Sequence, residues 1–296
     1  MPVIKPIDLV LAGGGVKGIG LVGSVVKLME AGYRAHRVAG SSAGSIVGAI
    51  VAAAARDDQM TPEQVRTLAL SIDYRKFLDP GPIESVPLLG TSWAILQGSG
   101  IYRGDYAHRF IAEQLKTLGV TTFADLRLDD DELPDERRYR LVVTAADVTT
   151  GQLVRLPWDY RRVYGLDPDK QLVADAVRAS MSIPFFFRPV TLTSTAGLKS
   201  TLVDGGLLSN YPIDSLDRAD EKPPRWPTLG ITLMPSLPDH NEEVFPALRL
   251  LHKVRPPTLM EQVVTTILVG HDQTLLNQPR VAARTIRVDT HQVGVL

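Results

Sequence analysis

The chain has 296 residues, of which 44% are hydrophobic and 22% charged, the proportions of a globular protein large enough to bury a substantial core. A net charge of −1 gives no electrostatic reason to expect a nucleic-acid partner. The absence of cysteine excludes disulfides, thiol catalysis and thiolate metal sites, and fits a reducing compartment. Residues 7–26 are mostly apolar but carry six glycines and Lys17, whereas a membrane span needs ~20 apolar residues without charge. They read as a buried strand, a loop and a helix of a soluble protein expected in the cytoplasm.

Residues 7–12 form the first predicted strand, which opens onto Gly13-Gly14-Gly15-Val16-Lys17-Gly18. Apolar positions then recur at helical spacing from Ile19 to Met29, until Gly32 stops the helix. A second strand over 34–39 leads into Gly40-Ser41-Ser42-Ala43-Gly44 and a helix of small residues from 43 to about 55. This βαβα start implies a mainly parallel sheet. Thr61-Pro62-Glu63-Gln64 has the residues of a capped helix start, and that helix is expected to run to about Phe77. The Pro- and Gly-rich interval from Asp79 to Gly104 reads as a packed surface loop or a flap carrying Leu88, Leu89, Trp93, Ile95 and Leu96.

An amphipathic helix follows over 105–118, then an acidic loop over 129–136 that lacks EF-hand spacing and reads as a solvated connector. Strands over 139–145 and 152–156, joined through Asp147-Val148-Thr149-Thr150-Gly151, make a hairpin. A helix is predicted over 174–180, core-filling aromatics over 185–187, a buried strand end at Leu202-Val203, and a further helix beginning at Asn210-Tyr211-Pro212-Ile213. Beyond the linker at 221–227 come a strand over 228–233, a long helix over 260–278 and a short strand over 285–288.

Gly13, Gly15 and Gly18 satisfy G-x-G-x-x-G between a strand and a helix, the setting of a dinucleotide-binding loop. That reading also wants an acid at the end of the second strand, and Ala39-Gly40-Ser41-Ser42 offers none. The P-loop reading fails because Lys17 precedes Gly18 and no Lys-Ser/Thr pair follows. What Gly13, Gly14 and Gly15 do supply is a nest of backbone N–H groups suited to an anion such as a tetrahedral oxyanion.

The turn after the second strand reads G-x-S-x-G about Ser42, with Gly40 and Gly44 allowing the close backbone approach that thrusts a nucleophile out of the chain. Ser41 and Ser45 lack that framing. A serine nucleophile needs a base. None of the six histidines, His36, His108, His240, His252, His271 and His291, stands in a convincing strand-to-loop setting. Asp204 does, at a strand end before Gly205 and Gly206, where desolvation would raise its basicity. An ordinary Asp-Gly turn is the alternative.

These motifs in this order, Gly13 to Gly18, Gly40 to Gly44 and Asp204-Gly205-Gly206 followed by Asn210 and Pro212, resemble the patatin-like phospholipase family. The stretch Ala179-Ser180-Met181-Ser182-Ile183-Pro184-Phe185 and the Asp147 to Gly151 turn add to the resemblance. It implies a three-layer α/β/α sandwich with a mainly parallel central sheet. The catalytic core would span residues 7–213, with 214–296 completing the same domain. It further implies a phospholipase A or lysophospholipase that cleaves fatty acyl esters of lipids at a membrane or micelle surface. Ser42 would be nucleophile and Asp204 base, the Gly13–Gly15 amides the oxyanion hole, and no metal or cofactor would be needed. Lys17, where the family often has Arg, becomes a candidate contact for a lipid phosphate. The competing expectations are a lipid-binding or signalling protein on the same scaffold and a nucleotide-binding Rossmann protein.

Overall fold

The structure is a computed structural model that describes residues 4–72, 74–79, 100–218, 220, 222–234, 259, 263, 266–267 and 275–289, without the side chains of Val16, Tyr74 and Met234. An eight-stranded sheet runs through it in the order β5 (Val190–Thr193), β6 (Lys199–Asp204), β3 (Leu141–Asp147), β2 (Tyr33–Ser41), β1 (Lys5–Leu11), β7 (Thr228–Met234) and β8 (Thr285–Asp289), with β4 (Gln152–Leu156) paired to β3. The first strand, β1 (Lys5–Leu11), is buried from Ile7 onward. After a 3-10 turn at Gly15–Lys17, α1 (Gly18–Glu30) buries Leu21, Val22, Val25 and Val26 along one face, the stripe expected of a helix lying on a sheet. β2 (Tyr33–Ser41) pairs in parallel with β1. Asp8 and Arg37 form a buried ion pair between these two strands, and Arg37 also donates to the Leu216 carbonyl at 3.0 Å.

Helix α2 (Ala43–Ala54) is buried on nearly every side, which its run of Ala, Gly and Val permits: a side chain at Gly48 would place its Cβ 3.1 Å from Val38 on β2. Helix α3 (Pro62–Leu70) starts with a full capping box between Thr61 and Gln64. It ends at Leu70 rather than near Phe77, since the Ser71 hydroxyl donates to the Leu68 carbonyl at 2.7 Å and closes the last turn. Phe77 belongs to a separate 3-10 turn, Tyr74–Phe77. Helix α4 (Asp105–Thr117) follows, and then β3 (Leu141–Asp147) and β4 (Gln152–Leu156), the expected antiparallel hairpin.

Helix α5 (Trp158–Tyr164) was not anticipated, because Trp-Asp-Tyr-Arg-Arg-Val-Tyr carries no aliphatic stripe. Helix α6 (Val173–Ser180) leads to β5 (Val190–Thr193), also unanticipated, which pairs antiparallel with β6 (Lys199–Asp204). The short helix α7 (Gly206–Ser209) comes directly after β6. No helix begins at Pro212; residues 212–217 are turns closed by the Ser215 N–H on the Pro212 carbonyl and the Asp217 N–H on the Asp214 carbonyl. β7 (Thr228–Met234), the one-turn α8 (Pro279–Ala282) and β8 (Thr285–Asp289) follow, with β7 parallel to β1 and β8 parallel to β7. Residues 80–99, and most of the helix expected over 260–278, lie outside the described residues. Among the described residues no helix is long and apolar enough to cross a membrane.

One detail of register decides where the chemistry sits. β4 occupies one edge of β3 from Val143 to Asp147, so β2 and β6 must share the other edge. β2 runs parallel to β3 and stops with Ser41 opposite Thr144; β6 runs antiparallel and stops with Asp204 opposite Ala145. Two strands arriving from opposite directions thus end on adjacent residues of β3, and the residues at their tips face one another.

Candidate active site

Ser42 lies at the tip of β2 and caps α2, with φ 51 and ψ −123. This positive φ is rare for a residue with a side chain and is held only where surrounding structure enforces it. Gly40 and Gly44 make the enforcement possible. A Cβ on Gly40 would sit 2.3 Å from the Gly44 carbonyl oxygen, and one on Gly44 would sit 2.3 Å from the Leu11 carbonyl oxygen. The turn is therefore folded tightly on itself and against the end of β1.

The Ser42 hydroxyl donates to Asp204 Oδ2 at 2.6 Å, and Asp204 Oδ1 accepts the Gly206 N–H at 2.7 Å. Asp204 is 1% exposed. Burial pushes its carboxyl up to about 7, against the opposing pull of the bonds from Ser42 and Gly206. A buried carboxylate that accepts two hydrogen bonds among the described residues is basic, and its hydrogen-bonded hydroxyl proton is that of Ser42. No histidine hydrogen-bonds Ser42 or Asp204 among the described residues: His108 bonds Asp175 at 2.7 Å and His36 packs on Trp226. His240, His252, His271 and His291 lie outside the described residues. Neither neighbouring serine competes as partner for Asp204, since Ser45 donates to the Ser42 carbonyl at 2.6 Å and the fully buried Ser41 hydroxyl makes no hydrogen bond among the described residues.

Ser180 and Ser182, at the end of α6, hold both tips in place. The Ser180 hydroxyl accepts the Ser42 N–H at 2.9 Å, while the carbonyls of Ser182 and Ser180 accept the N–H groups of Asp204 (2.9 Å) and Gly205 (3.4 Å). Arg178 fixes this segment in turn by donating to the Ser182 hydroxyl at 2.6 Å. Gly205 has no room for a side chain, whose Cβ would fall 2.4 Å from the Thr144 carbonyl oxygen. Sequence reasoning assigned Ser180 no role, because its bond to Ser42 joins residues far apart in the chain.

The glycine loop lies beside this pair. An added Cβ on Gly13 would stand 3.1 Å from the Ser42 Cβ and 2.1 Å from Asn210 Oδ1. The Gly13 N–H donates to the Asn210 carbonyl at 2.9 Å, so it is engaged in tying the loop to the chain after α7. The N–H groups of Gly14 and Gly15 have no partner among the described residues, and both residues are partly exposed. Gly15 adopts φ 56, a conformation suited to glycine. Gly18 brings α1 against α2, a Cβ there lying 3.1 Å from that of Ala43. Lys17 is only 5% exposed, and burial lowers its amine against the raising influence of Asp289 on β8. No cluster of His, Asp and Glu able to hold a metal occurs among the described residues.

Comparison with known proteins bears on this arrangement. A relative in Bacillus subtilis, the uncharacterized protein YqhO, is 39% identical over 230 residues, covering 77% of this chain and 72% of its own. The uncharacterized NTE family protein Rv2565 of Mycobacterium tuberculosis is 27% identical over 316 residues, and the match spans 99% of this chain but only 43% of the mycobacterial protein. Among solved structures, VipD from Legionella pneumophila matches with a TM-score of 0.48 and 18% identity, over 100% of this chain and 62% of VipD. Full-length ExoU of Pseudomonas aeruginosa, in complex with SpcU, matches with a TM-score of 0.46 and 19% identity, over 93% of this chain and 54% of that one. The family model described as patatin-like phospholipase matches residues 9–217, a span that contains the glycine loop, the Ser42 turn, the Ser180 segment and Asp204. The chain belongs to the patatin-like phospholipase family.

Proposed function

We propose that the protein is a serine hydrolase of fatty acyl esters in lipids, of phospholipase A or lysophospholipase type, acting through a Ser42–Asp204 dyad. The observation that carries this reading is the 2.6 Å bond from the Ser42 hydroxyl to a buried carboxylate, made by a serine whose backbone is held at φ 51 on a strand-to-helix turn. Family membership supplies the substrate class, a lipid acyl ester.

In the first half-reaction Ser42 Oγ attacks the ester carbonyl as Asp204 takes the hydroxyl proton. The ester oxygen becomes an oxyanion, and the N–H groups of Gly14 and Gly15, which have no partner among the described residues, would receive it from the loop whose Gly13 adjoins Ser42. Removing one such donor from an oxyanion hole costs ~3 to 4 kcal/mol of barrier. Collapse of the tetrahedral species breaks the C–O bond to the alcohol, which leaves with the proton held by Asp204. A water molecule then attacks the acyl-Ser42 ester, Asp204 takes its proton, and that proton returns to Ser42 Oγ as the fatty acid departs. The bond from Asp204 Oδ1 to the Gly206 N–H keeps the carboxylate oriented throughout. Gly13 serves this scheme by anchoring the loop through its N–H bond to the Asn210 carbonyl.

The test is incubation of the protein with a mixed lipid extract, with mass spectrometry of the products. The native protein should release free fatty acids and lysolipids or a deacylated head group, and Ser42→Ala should release none. Equal release by both proteins would refute the assignment of Ser42.

A further inference from the structure

Arg178, on the last turn of α6, is a buried cation held by uncharged partners. It is 7% exposed. Its Nη1 donates to the Ser182 hydroxyl at 2.6 Å, and its Nη2 to the carbonyls of Arg103 at 2.5 Å and Arg188 at 2.9 Å. Among the described residues no carboxylate hydrogen-bonds it; burial lowers the guanidinium, and Asp79 and Asp105 oppose this through charge alone. A buried charge without an ion pair is costly, so its place in the fold calls for a reason other than stability.

The acceptors lie on three segments. Residues 101–104 are anchored by Asp79, whose carbonyl accepts the Arg103 N–H at 3.0 Å and whose carboxylate accepts those of Gly104 (2.7 Å) and Tyr106 (2.9 Å). They pair with residues 186–188 through the Tyr102 N–H on the Phe186 carbonyl at 2.8 Å and the Arg188 N–H on the Tyr102 carbonyl at 2.9 Å. Gly104 leaves room for the guanidinium, since a Cβ there would stand 2.5 Å from Arg178 Nε. The third segment is the turn at Ser182, whose carbonyl accepts the Asp204 N–H at 2.9 Å. Between Ser182 and Arg188 the backbone is strained: Phe185 has φ 68, which an aromatic residue keeps only where its surroundings enforce it. Arg178 grips the chain on both sides of that residue.

We infer that Arg178 is a positioning residue of the dyad: by restraining the strained turn at Phe185, it keeps the Ser182 carbonyl on the Asp204 amide and so holds Asp204 against Ser42. The inference rests on Asp204 as the base of the reaction. Release of the turn lets Phe185 relax toward negative φ and carries Ser182 with it. The tip of β6 then loses its support, although the carboxylate and the hydroxyl are both still present. A guanidinium directs several donors from one rigid plane, whereas a lysine keeps the charge and gives up the fork. The role therefore needs arginine, and charge alone does not serve it.

The experiment pairs turnover of p-nitrophenyl butyrate with hydrogen exchange resolved to single amides by tandem mass spectrometry. Arg178→Lys should lower kcat at least tenfold while KM changes less than twofold. The Asp204 amide should exchange at least tenfold faster, and that of Val26 in the middle of α1 should keep its native rate. Glycine adopts a positive φ without strain, so adding Phe185→Gly to Arg178→Lys should return at least half of the lost kcat. Should the lysine variant fail to fold, Ser182→Ala cuts one bond of the fork and should move kcat and the Asp204 amide in the same directions. An Asp204 amide at its native rate in folded variants, or one quickened no more than that of Val26, would show a merely structural arginine and overturn the inference. A kcat loss that Phe185→Gly leaves untouched would overturn it too. Ester turnover that survives Asp204→Asn refutes Asp204 as base instead, and the exchange rates still decide whether Arg178 holds that strand end.

Discussion

Replacing Asp204 by Asn should cost the protein its activity and raise its stability above neutral pH. The carboxyl is 1% exposed, has two hydrogen-bond donors and is pushed up by burial to about 7. Against ~3.9 for an unfolded aspartate, at ~1.4 kcal/mol per pH unit, the folded state loses ~4 kcal/mol when this group ionises. Below about pH 4 the carboxyl is protonated in folded and unfolded chains alike and the penalty is absent. Between about 4 and 7 the unfolded chain ionises first, so stability falls as pH rises, and the loss is complete above the folded-state value.

An asparagine keeps the shape and can still meet both Ser42 and the Gly206 N–H, but it never ionises. Asp204→Asn should therefore gain about 1 kcal/mol over the native protein at pH 4.5 and up to ~4 kcal/mol at pH 8. Urea unfolding of both proteins at the two pH values measures this difference, and the same samples should show turnover reduced by ~10²–10⁴, the usual contribution of a general base. A stability difference that does not grow with pH, or an asparagine variant less stable at pH 8, would refute the reasoning that Asp204 is strained by burial for the sake of its basicity.

The acid limb of kcat/KM should rise through a midpoint near 7, because only the ionised Asp204 can take the serine proton; a midpoint near 4 in a pH–rate series would show an ordinary solvated carboxylate instead. Ser180→Ala removes the acceptor of the buried Ser42 N–H, and should lower stability by ~1–3 kcal/mol in denaturant unfolding. It should also lower kcat more than it raises KM, and Ser180→Thr should recover most of the loss. Gly44→Ala drives a Cβ to 2.3 Å from the Leu11 carbonyl oxygen and 2.6 Å from that of Ala12. Since both contacts are backbone, steady-state assays should show turnover reduced at least tenfold and thermal unfolding a loss of ~1–3 kcal/mol.

The parts of the site legible in the sequence are those that local backbone geometry dictates. A strand that must turn sharply into a helix needs Gly40 and Gly44 on either side of Ser42, and a loop that presents its amides needs Gly14 and Gly15. These requirements leave glycines at fixed spacings. Asp204 was legible for a related reason, as a carboxylate at a strand end before two glycines. What the sequence could not reveal is set by contacts distant in the chain. The edge of β3 shared by β2 and β6 brings Ser42 to Asp204, and no local pattern encodes it. The same holds for the Ser180 hydroxyl on the Ser42 amide and for the Gly13 amide on Asn210.

Local signals also misled where one residue serves two structures. Pro212 fits the first turn of a helix by its fixed φ, but the same φ suits the turn that it enters here. Thr61 and Gln64 marked the start of α3 correctly, yet nothing of comparable strength marked its end, and Ser71 closed it early. Lys17 is a candidate contact for a lipid phosphate by its place in the motif, which says nothing of its surroundings. In the fold its amine is buried beside α1 under the influence of Asp289 on β8, a residue brought there by the last strand of the sheet.

The direct measurement of the proposed dyad is covalent labelling. The native protein should be treated at pH 8 with a fluorophosphonate ester, digested, and sequenced by tandem mass spectrometry. The phosphonyl group should be found on Ser42 alone, and Asp204→Asn should slow its attachment by at least a hundredfold. A label on Ser41, Ser45 or any other residue, or an unlabelled Ser42 in protein that hydrolyses lipid esters, would contradict the assignment of Ser42 as nucleophile.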